Sequence, residues 1–150
     1  KDAIFGYETE RREAEILKRL STRPKDEPLI ESYLFAIGAM IDAYMADPAV
    51  AQREFGILDE VPGLRAQYLV SSGEHEIDAM DAELAGRLGC ESDDGRIHLL
   101  RYCMVNAVVQ ATLLWQRNQE GSDLHTIMRS YIGLFEGMIE KIRTSPKNVI

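Results

Sequence analysis

The hydrophobic pattern is helical along almost the whole chain. Apolar residues recur at spacings of three and four, and the two-residue alternation typical of half-buried strands is scarce. Proline and glycine interrupt the pattern where helix chemistry favours them, with proline in the first turn and glycine just past the end. We therefore expect an all-α, bundle-like domain of six helices, over residues 2–20, 28–46, 48–60, 62–88, 93–118 and 123–143.

Several helix ends have recognisable capping residues. Asp47 followed by Pro48 is typical of an N-cap and first helical position, so the third helix should begin there. Gly89 suits the left-handed residue that ends a helix, here the fourth. The other expected caps are Asp93 or Ser92 for the fifth helix, and Gly121-Ser122 between the fifth and the sixth.

The last two helices carry more apolar surface than one core requires. A surface helix needs an apolar stripe about 100° wide, and the sixth predicted helix has two such stripes side by side. We expect these helices to form an antiparallel hairpin that builds a dimeric four-helix bundle with a second copy. The residues predicted to form this dimer interface are Met104, Val108, Trp115, Met128, Ile132, Phe135 and Ile139.

A second group of residues could line a ligand pocket. Large and flexible side chains suit either a core or an adaptable apolar cavity. Asn106 and Gln110 are four residues apart and share a helix face, so these amides either satisfy each other or meet a ligand or water. Arg101 has three candidate roles: a contact at the dimer seam, binding of an anionic ligand group, or a surface ion pair. The candidate pocket residues are Tyr33, Ile37, Met40, Tyr44, Tyr68, Tyr102, Cys103, Asn106 and Gln110.

Composition narrows the class of protein. A chain of 150 residues with 45% hydrophobic and 28% charged residues fits one globular domain, residues 1–150. A formal net charge of -8 without clustered Lys and Arg argues against direct nucleic-acid binding. Cys90 and Cys103 form no CxxC pair, which favours a reducing, cytoplasmic location. No apolar run approaches the roughly 20 residues that span a bilayer, so we expect no membrane contact.

Sequence motifs typical of catalytic, metal-binding or phosphate-binding sites are scarce. His75, His98 and His125 lack the Glu-x-x-His spacing of di-metal bundles, and no phosphate-binding glycine loop or glycine-flanked nucleophilic serine is present. The acidic residues around Asp81 and Glu83 are interpreted as a solvated helix face. We therefore expect no enzymatic activity, no metal site and no cofactor.

Three short segments carry a family resemblance. They are Lys1-Asp2-Ala3-Ile4-Phe5, Pro62-Gly63-Leu64-Arg65-Ala66, and Leu84-Ala85-Gly86-Arg87-Leu88-Gly89 with the later Leu114-Trp115. Together they resemble the C-terminal domain of TetR-family transcriptional regulators. The resemblance implies that residues 1–20 are the connecting helix from an N-terminal DNA-binding head that the 150 residues do not contain. It also implies that the middle helices form an effector pocket and that the last two helices dimerise.

The resemblance implies a function as well. The chain would be the effector-sensing and dimerisation domain of a bacterial repressor, and operator DNA would be contacted only through the missing head. The effector would be an apolar small molecule, and relatives with this style of C-terminal domain are linked to acyl-chain or acyl-CoA-like effectors. Two alternatives remain open: a helical carrier of apolar small molecules without a DNA role, and a bundle enzyme with a bound metal or cofactor.

Overall fold

A computed structural model describes residues 2–63, 77–118, 121 and 123–145. This part of the chain is helical and contains no strand, which confirms the all-α class. Most of the first half of the predicted fourth helix lies outside the described residues. The helices are α1 (Asp2–Ser21), α2 (Leu29–Ala46), α3 (Pro48–Glu60), α4 (Ile77–Leu88), α5 (Gly95–Arg117), α6 (Leu124–Gly133) and α7 (Glu136–Thr144).

Two of the expected helix ends are confirmed. The Asp47 carboxylate accepts a hydrogen bond of 3.1 Å from the Ala49 N–H at the start of α3. Gly89 adopts a φ of 70° after α4, and the next N–H, that of Cys90, donates to the Ala85 carbonyl at 2.9 Å. This is the hydrogen bond of a Schellman cap, in which a left-handed residue satisfies the last carbonyls of a helix.

The other two caps lie slightly further along the chain than expected. Asp94, not Asp93 or Ser92, is the N-cap of α5, because its carboxylate accepts from the Arg96 N–H at 2.9 Å. Asp123 caps α6 by accepting from the His125 N–H at 3.2 Å. In both places a charged oxygen lies at the positive end of the helix, where it stabilises unpaired N–H groups.

The core is built around α2 and α5. The α5 helix packs against α3, α4, α6 and α7, and α2 packs against α1, α3 and α6. The largest fully buried side chains come from all the helices except α7: Leu20, Ile37, Ile41, Tyr44, Phe55, Leu84, Ile97, Leu100, Met104, Leu124 and Met128. This arrangement places α1, α2, α3, α4 and α5 around one interior space.

The two central helices are more apolar than the sequence analysis anticipated. Both α2 and α5 contain an 18-residue stretch with a mean hydropathy of 1.3, which is long and apolar enough to cross a membrane by length and composition alone. The core helix of a globular protein passes the same test, and both helices supply core residues here. These two stretches do not show a membrane protein.

The predicted sixth helix is broken in the structure. Leu134 and Phe135 form a turn between α6 and α7, in which their N–H groups bond to the carbonyls three residues earlier, at 3.2 and 3.1 Å. Gly133 and Gly137 flank this turn, and a glycine inside a helix costs about 1 kcal/mol relative to alanine. A Cβ atom built on either glycine would meet no described atom within 4 Å, so neither glycine serves a close helix approach among the described residues.

Most residues predicted for the dimer interface are buried within the single chain. Met128 and Ile132 are 0% exposed within the single chain, and the other buried members are Met104, Val108 and Trp115. The reason is that α5 and α6 pack against several helices of their own chain, so the apolar stripe with Met128 and Ile132 is covered by one core, whereas the neighbouring stripe ends in the exposed Leu134. Phe135 and Ile139 stay half-buried. The exposed large apolar residues of this region are Leu99, Tyr102 and Leu134.

Candidate functional site

A cavity of about 60 Å³ lies among α1, α2, α3, α4 and α5. The first helix forms one wall with Arg12, Glu13, Ile16 and Leu17. Most of the remaining wall is apolar, formed by Tyr33, Met40, Phe55, Met80, Leu84, Met104, Val105 and Val108. The three methionines are unbranched and flexible, so the space can adapt to ligands of different shape.

Two cations lie in the cavity wall: Arg12 of α1, which pairs with Glu54, and Arg101 of α5. The Nε of Arg101 donates to Oδ1 of Asp81 on α4 at 2.8 Å, and the two side chains are only 6% and 1% exposed. The guanidinium carbon lies 4.6 Å from the centre of the Tyr102 ring. The second Asp81 oxygen, Oδ2, lies 2.5 Å from Nδ1 of the more exposed His98. These contacts hold the guanidinium in place from one side.

The Nη2 group of Arg101 is different. It is buried and has no hydrogen-bond partner in the described part of the chain. A buried donor without a partner costs about 1–3 kcal/mol, so such groups call for an explanation. An acceptor that the chain itself does not supply would remove this cost.

Arg87, one helix earlier, shows how this chain satisfies a buried arginine. Its side chain is 1% exposed, and its Nε donates to Glu83 Oε1 at 3.0 Å. The guanidinium also donates to the carbonyls of Pro24, Leu20 and Arg23 and to the Ser32 hydroxyl, at 2.7–3.2 Å. Arg87 therefore ties α4 to the C-terminal end of α1 with all three of its nitrogens in use.

A second, shallower space lies outside the cavity, between α1, α2 and α3. This groove of about 310 Å³ is lined partly by Arg11, Arg12, Arg19 and Glu54. Glu54 forms an ion pair with Arg12 and accepts a hydrogen bond of 2.5 Å from the Tyr44 hydroxyl. Arg19 donates to the carbonyls of Phe35 and Ala36. Because Arg12 and Arg19 are already engaged, the groove gives a weaker argument for a ligand than the cavity does.

The structure brings only some of the predicted pocket residues together. Tyr33 and Met40 line the cavity. Ile37 is fully buried in the core without lining it, and Tyr44 lies in the groove, where its ring packs edge-on against Phe55 with centroids 5.7 Å apart. Tyr68 lies outside the described residues.

The four candidates from α5 do not reach the cavity. Tyr102 and Asn106 are exposed, and Cys103 and Gln110 are half-buried outside the cavity wall. The side of α5 that faces the cavity carries Arg101, Met104, Val105 and Val108, at the spacing of one helix face. The candidates lie at neighbouring positions that point elsewhere. The spacing of Arg101 with these apolar residues was the sequence signal that marked the correct face.

Asp81 is a site residue that the sequence analysis missed. It was interpreted as part of a solvated acidic face, yet it is 1% exposed and pairs with Arg101. Its position three residues before the buried Leu84 and seven before the buried Leu88 places it on the inner side of α4. That spacing was visible in the sequence, but its cationic partner on another helix was not.

Among the residues described, no three His, Cys, Asp or Glu side chains converge where a metal ion could bind. Comparison of the chain with family models, curated proteins and solved structures found no match.

Proposed function

We propose that this chain is the effector-sensing and dimerisation domain of a TetR-like transcriptional regulator that acts as a repressor. The observation that carries the proposal is the composition of the cavity wall, because α1 supplies one side of it and α2–α5 the others. In the family that the sequence resembles, the equivalent of α1 leads to the DNA-binding head. A molecule in the cavity would thus touch the helix that transmits the signal.

Two routes connect the cavity to α1. The first is direct, since Ile16 and Leu17 line the space. The second runs through α4, where Met80 and Leu84 line the cavity and Arg87, one turn further along, bonds to the Leu20 carbonyl. A ligand that moves α4 would therefore shift the end of α1. The heads of a dimer would then no longer match half-sites one helical turn apart.

Dimerisation remains part of the proposal, with a different surface from the one first predicted. Large apolar side chains left exposed by the single chain include Leu99, Tyr102 and Leu134, with exposures of 55%, 37% and 78%. Sedimentation velocity tests this surface. Leu99→Glu combined with Leu134→Glu should convert a dimer to a monomer, whereas Met45→Glu, at an exposed apolar position on α2, should leave the dimer intact. A wild-type monomer would overturn this part of the proposal.

The central experiment is native mass spectrometry of the purified chain, which reports subunit number and co-purified small molecules together. We expect a dimer that carries an apolar molecule. Val105→Phe, which fills the cavity from α5, should lose that molecule, and Val61→Phe at an exposed position should retain it. A wild-type chain that retains no small molecule and binds none of the probes described below would overturn the sensor proposal.

Movement of α1 separates a sensor from a carrier. For this test Cys90 and Cys103 are replaced by serine, and a spin label is attached through a cysteine at the exposed position of Glu10. Pulsed electron paramagnetic resonance then measures the distance between the two copies of α1. A sensor should change this distance when the cavity fills. A carrier, the alternative function, should bind the same molecule without any change.

A further inference from the structure

We infer that the ligand of this cavity carries a hydrogen-bond-accepting oxygen, as a carbonyl or a carboxylate, which binds Nη2 of Arg101 while an apolar body contacts the methionines. The inference deepens the proposed function and rests on it. It specifies the chemistry of a ligand that the proposal describes only as apolar.

The first argument is the unpartnered donor. Nη2 of Arg101 is buried without an acceptor among the described residues, and the whole side chain is only 6% exposed. Arg87 shows the opposite arrangement, because Nε, Nη1 and Nη2 all donate to acceptors of the chain. Buried donors are normally paired, so the missing acceptor at Arg101 is best supplied from outside the chain.

The second argument is that Arg101 is held in place. Asp81 fixes its Nε, and the Tyr102 ring lies against the guanidinium. A planar guanidinium held at one edge presents its remaining N–H groups in a defined direction, which favours a planar oxygen acceptor. Since the Asp81 carboxylate already balances the arginine charge, a neutral carbonyl fits this position as well as a carboxylate does.

The third argument comes from the rest of the wall. Met40, Met80 and Met104 lie in the wall together with Phe55, so the part of the ligand that contacts them must be apolar. A purely hydrocarbon ligand would bury Nη2 further without giving it an acceptor, which is unfavourable. One oxygen on an apolar body satisfies both parts of the wall.

A matched pair of probes tests the inference. Acetophenone and ethylbenzene differ only in a carbonyl that replaces a methylene, and benzoate adds the carboxylate form. Binding is followed by NMR of the chain labelled at its methionine methyl groups. Met40, Met80 and Met104 should shift, while the exposed Met45 serves as an internal reference.

The expected result is that acetophenone binds at least as tightly as ethylbenzene. Burial of a carbonyl without a donor would instead favour ethylbenzene by about tenfold. Benzoate separates the two oxygen classes: tighter binding than acetophenone assigns a carboxylate ligand, and weaker binding assigns a carbonyl.

Variants connect the preference to Arg101. Arg101→Lys keeps a cation beside Asp81 but removes the forked donor, so ethylbenzene should become about tenfold preferred. The double variant Asp81→Leu with Arg101→Met removes the buried pair together and should give the same preference even if the single variant folds poorly. Arg129→Lys, which changes an exposed cation paired with Glu31 outside the cavity wall, should retain the wild-type preference.

The outcomes separate this inference from the proposed function. If wild-type protein already prefers ethylbenzene by tenfold, the oxygen inference is wrong and the apolar sensor proposal stands. If no probe shifts the cavity methionines and the purified chain carries no molecule, the sensor proposal itself fails.

Discussion

Arg87 Nη2 donates a hydrogen bond of 2.7 Å to the carbonyl oxygen of Leu20, which joins the fourth helix to the C-terminal end of the first. The Leu20 carbonyl is one of the last of α1, where the helix dipole favours a cation, and it also accepts a hydrogen bond of 3.1 Å from the Arg23 N–H. The bond therefore has two roles: it caps α1 and it fixes the position of α4 beside it.

Replacement of Arg87 should destabilise the fold strongly. Arg87→Met would leave Glu83 with only its exposed partner Lys25 and remove one hydrogen bond from each of the Leu20 and Pro24 carbonyls, so we expect a loss of about 3 kcal/mol. Urea unfolding followed by circular dichroism measures it. Arg96→Met, which removes a more exposed ion pair with Asp94, should cost much less than Arg87→Met. Equal losses in the two variants would contradict this account of Arg87.

Phe55 should be both a core residue and a wall of the cavity. Phe55→Ala enlarges the cavity and should cost about 3–5 kcal/mol. Saturation with ethylbenzene at 100 times its dissociation constant should restore about 2.7 kcal/mol. Thermal unfolding with and without ethylbenzene measures both effects. Ile41→Ala removes a similarly buried side chain that does not line the cavity, so at the same ethylbenzene concentration it should be stabilised only as much as the wild type. A gain equal to that of Phe55→Ala would show that the effect is not specific to the enlarged cavity.

Two glycines of the α4 region should respond in opposite directions to alanine. Gly89 has a φ of 70°, so Gly89→Ala should cost about 1–2 kcal/mol through backbone strain. Gly86 lies inside α4, and a Cβ there would meet no described atom within 4 Å, so Gly86→Ala should gain about 0.5–1 kcal/mol. Chemical denaturation of both variants decides the matter, and a stabilised Gly89→Ala would contradict the left-handed cap.

Glu27 should make stability depend on pH in the acid range. Its pKa falls from 4.5 to about 2 because Arg23 and then Ser32 donate hydrogen bonds to its carboxylate, and nearby cations add to the effect against the opposing influence of burial. The unfolded chain binds the proton more readily, so this contribution is present above pH 4.5 and disappears as pH falls to about 2. The stability difference between wild type and Glu27→Gln should shrink across that interval. A constant difference would show that Glu27 is not the responsible group.

Local features of the fold were predictable from sequence. Pro48 and Gly89 determine backbone conformation at their own positions, so the start of α3 and the end of α4 could be inferred from residue chemistry. The caps Asp94 and Asp123 were displaced by one or two residues because neighbouring Ser and Asp residues are chemically equivalent candidates.

Non-local features were not predictable in the same way. The apolar stripe of Met128 and Ile132 was visible, but its partner depends on whether α2 of the same chain or a second copy covers it. The buried pair of Asp81 and Arg101 needs two helices to meet, which helical periodicity alone does not establish. For the same reason the sequence identified Tyr33 and Met40 of the cavity while placing the polar part of the site on the wrong side of α5.

The turn at Leu134–Phe135 divides the C-terminal helical region into two segments that can move separately. A single rod over residues 124–143 would be about 30 Å long and would have to move as one body. Because the turn divides this rod, its two segments have different neighbours: α6 packs against α2 and α5, and α7 packs against α4 and α5. Displacement of α4 would therefore act on α7 directly and on α6 mainly through the turn or through α5.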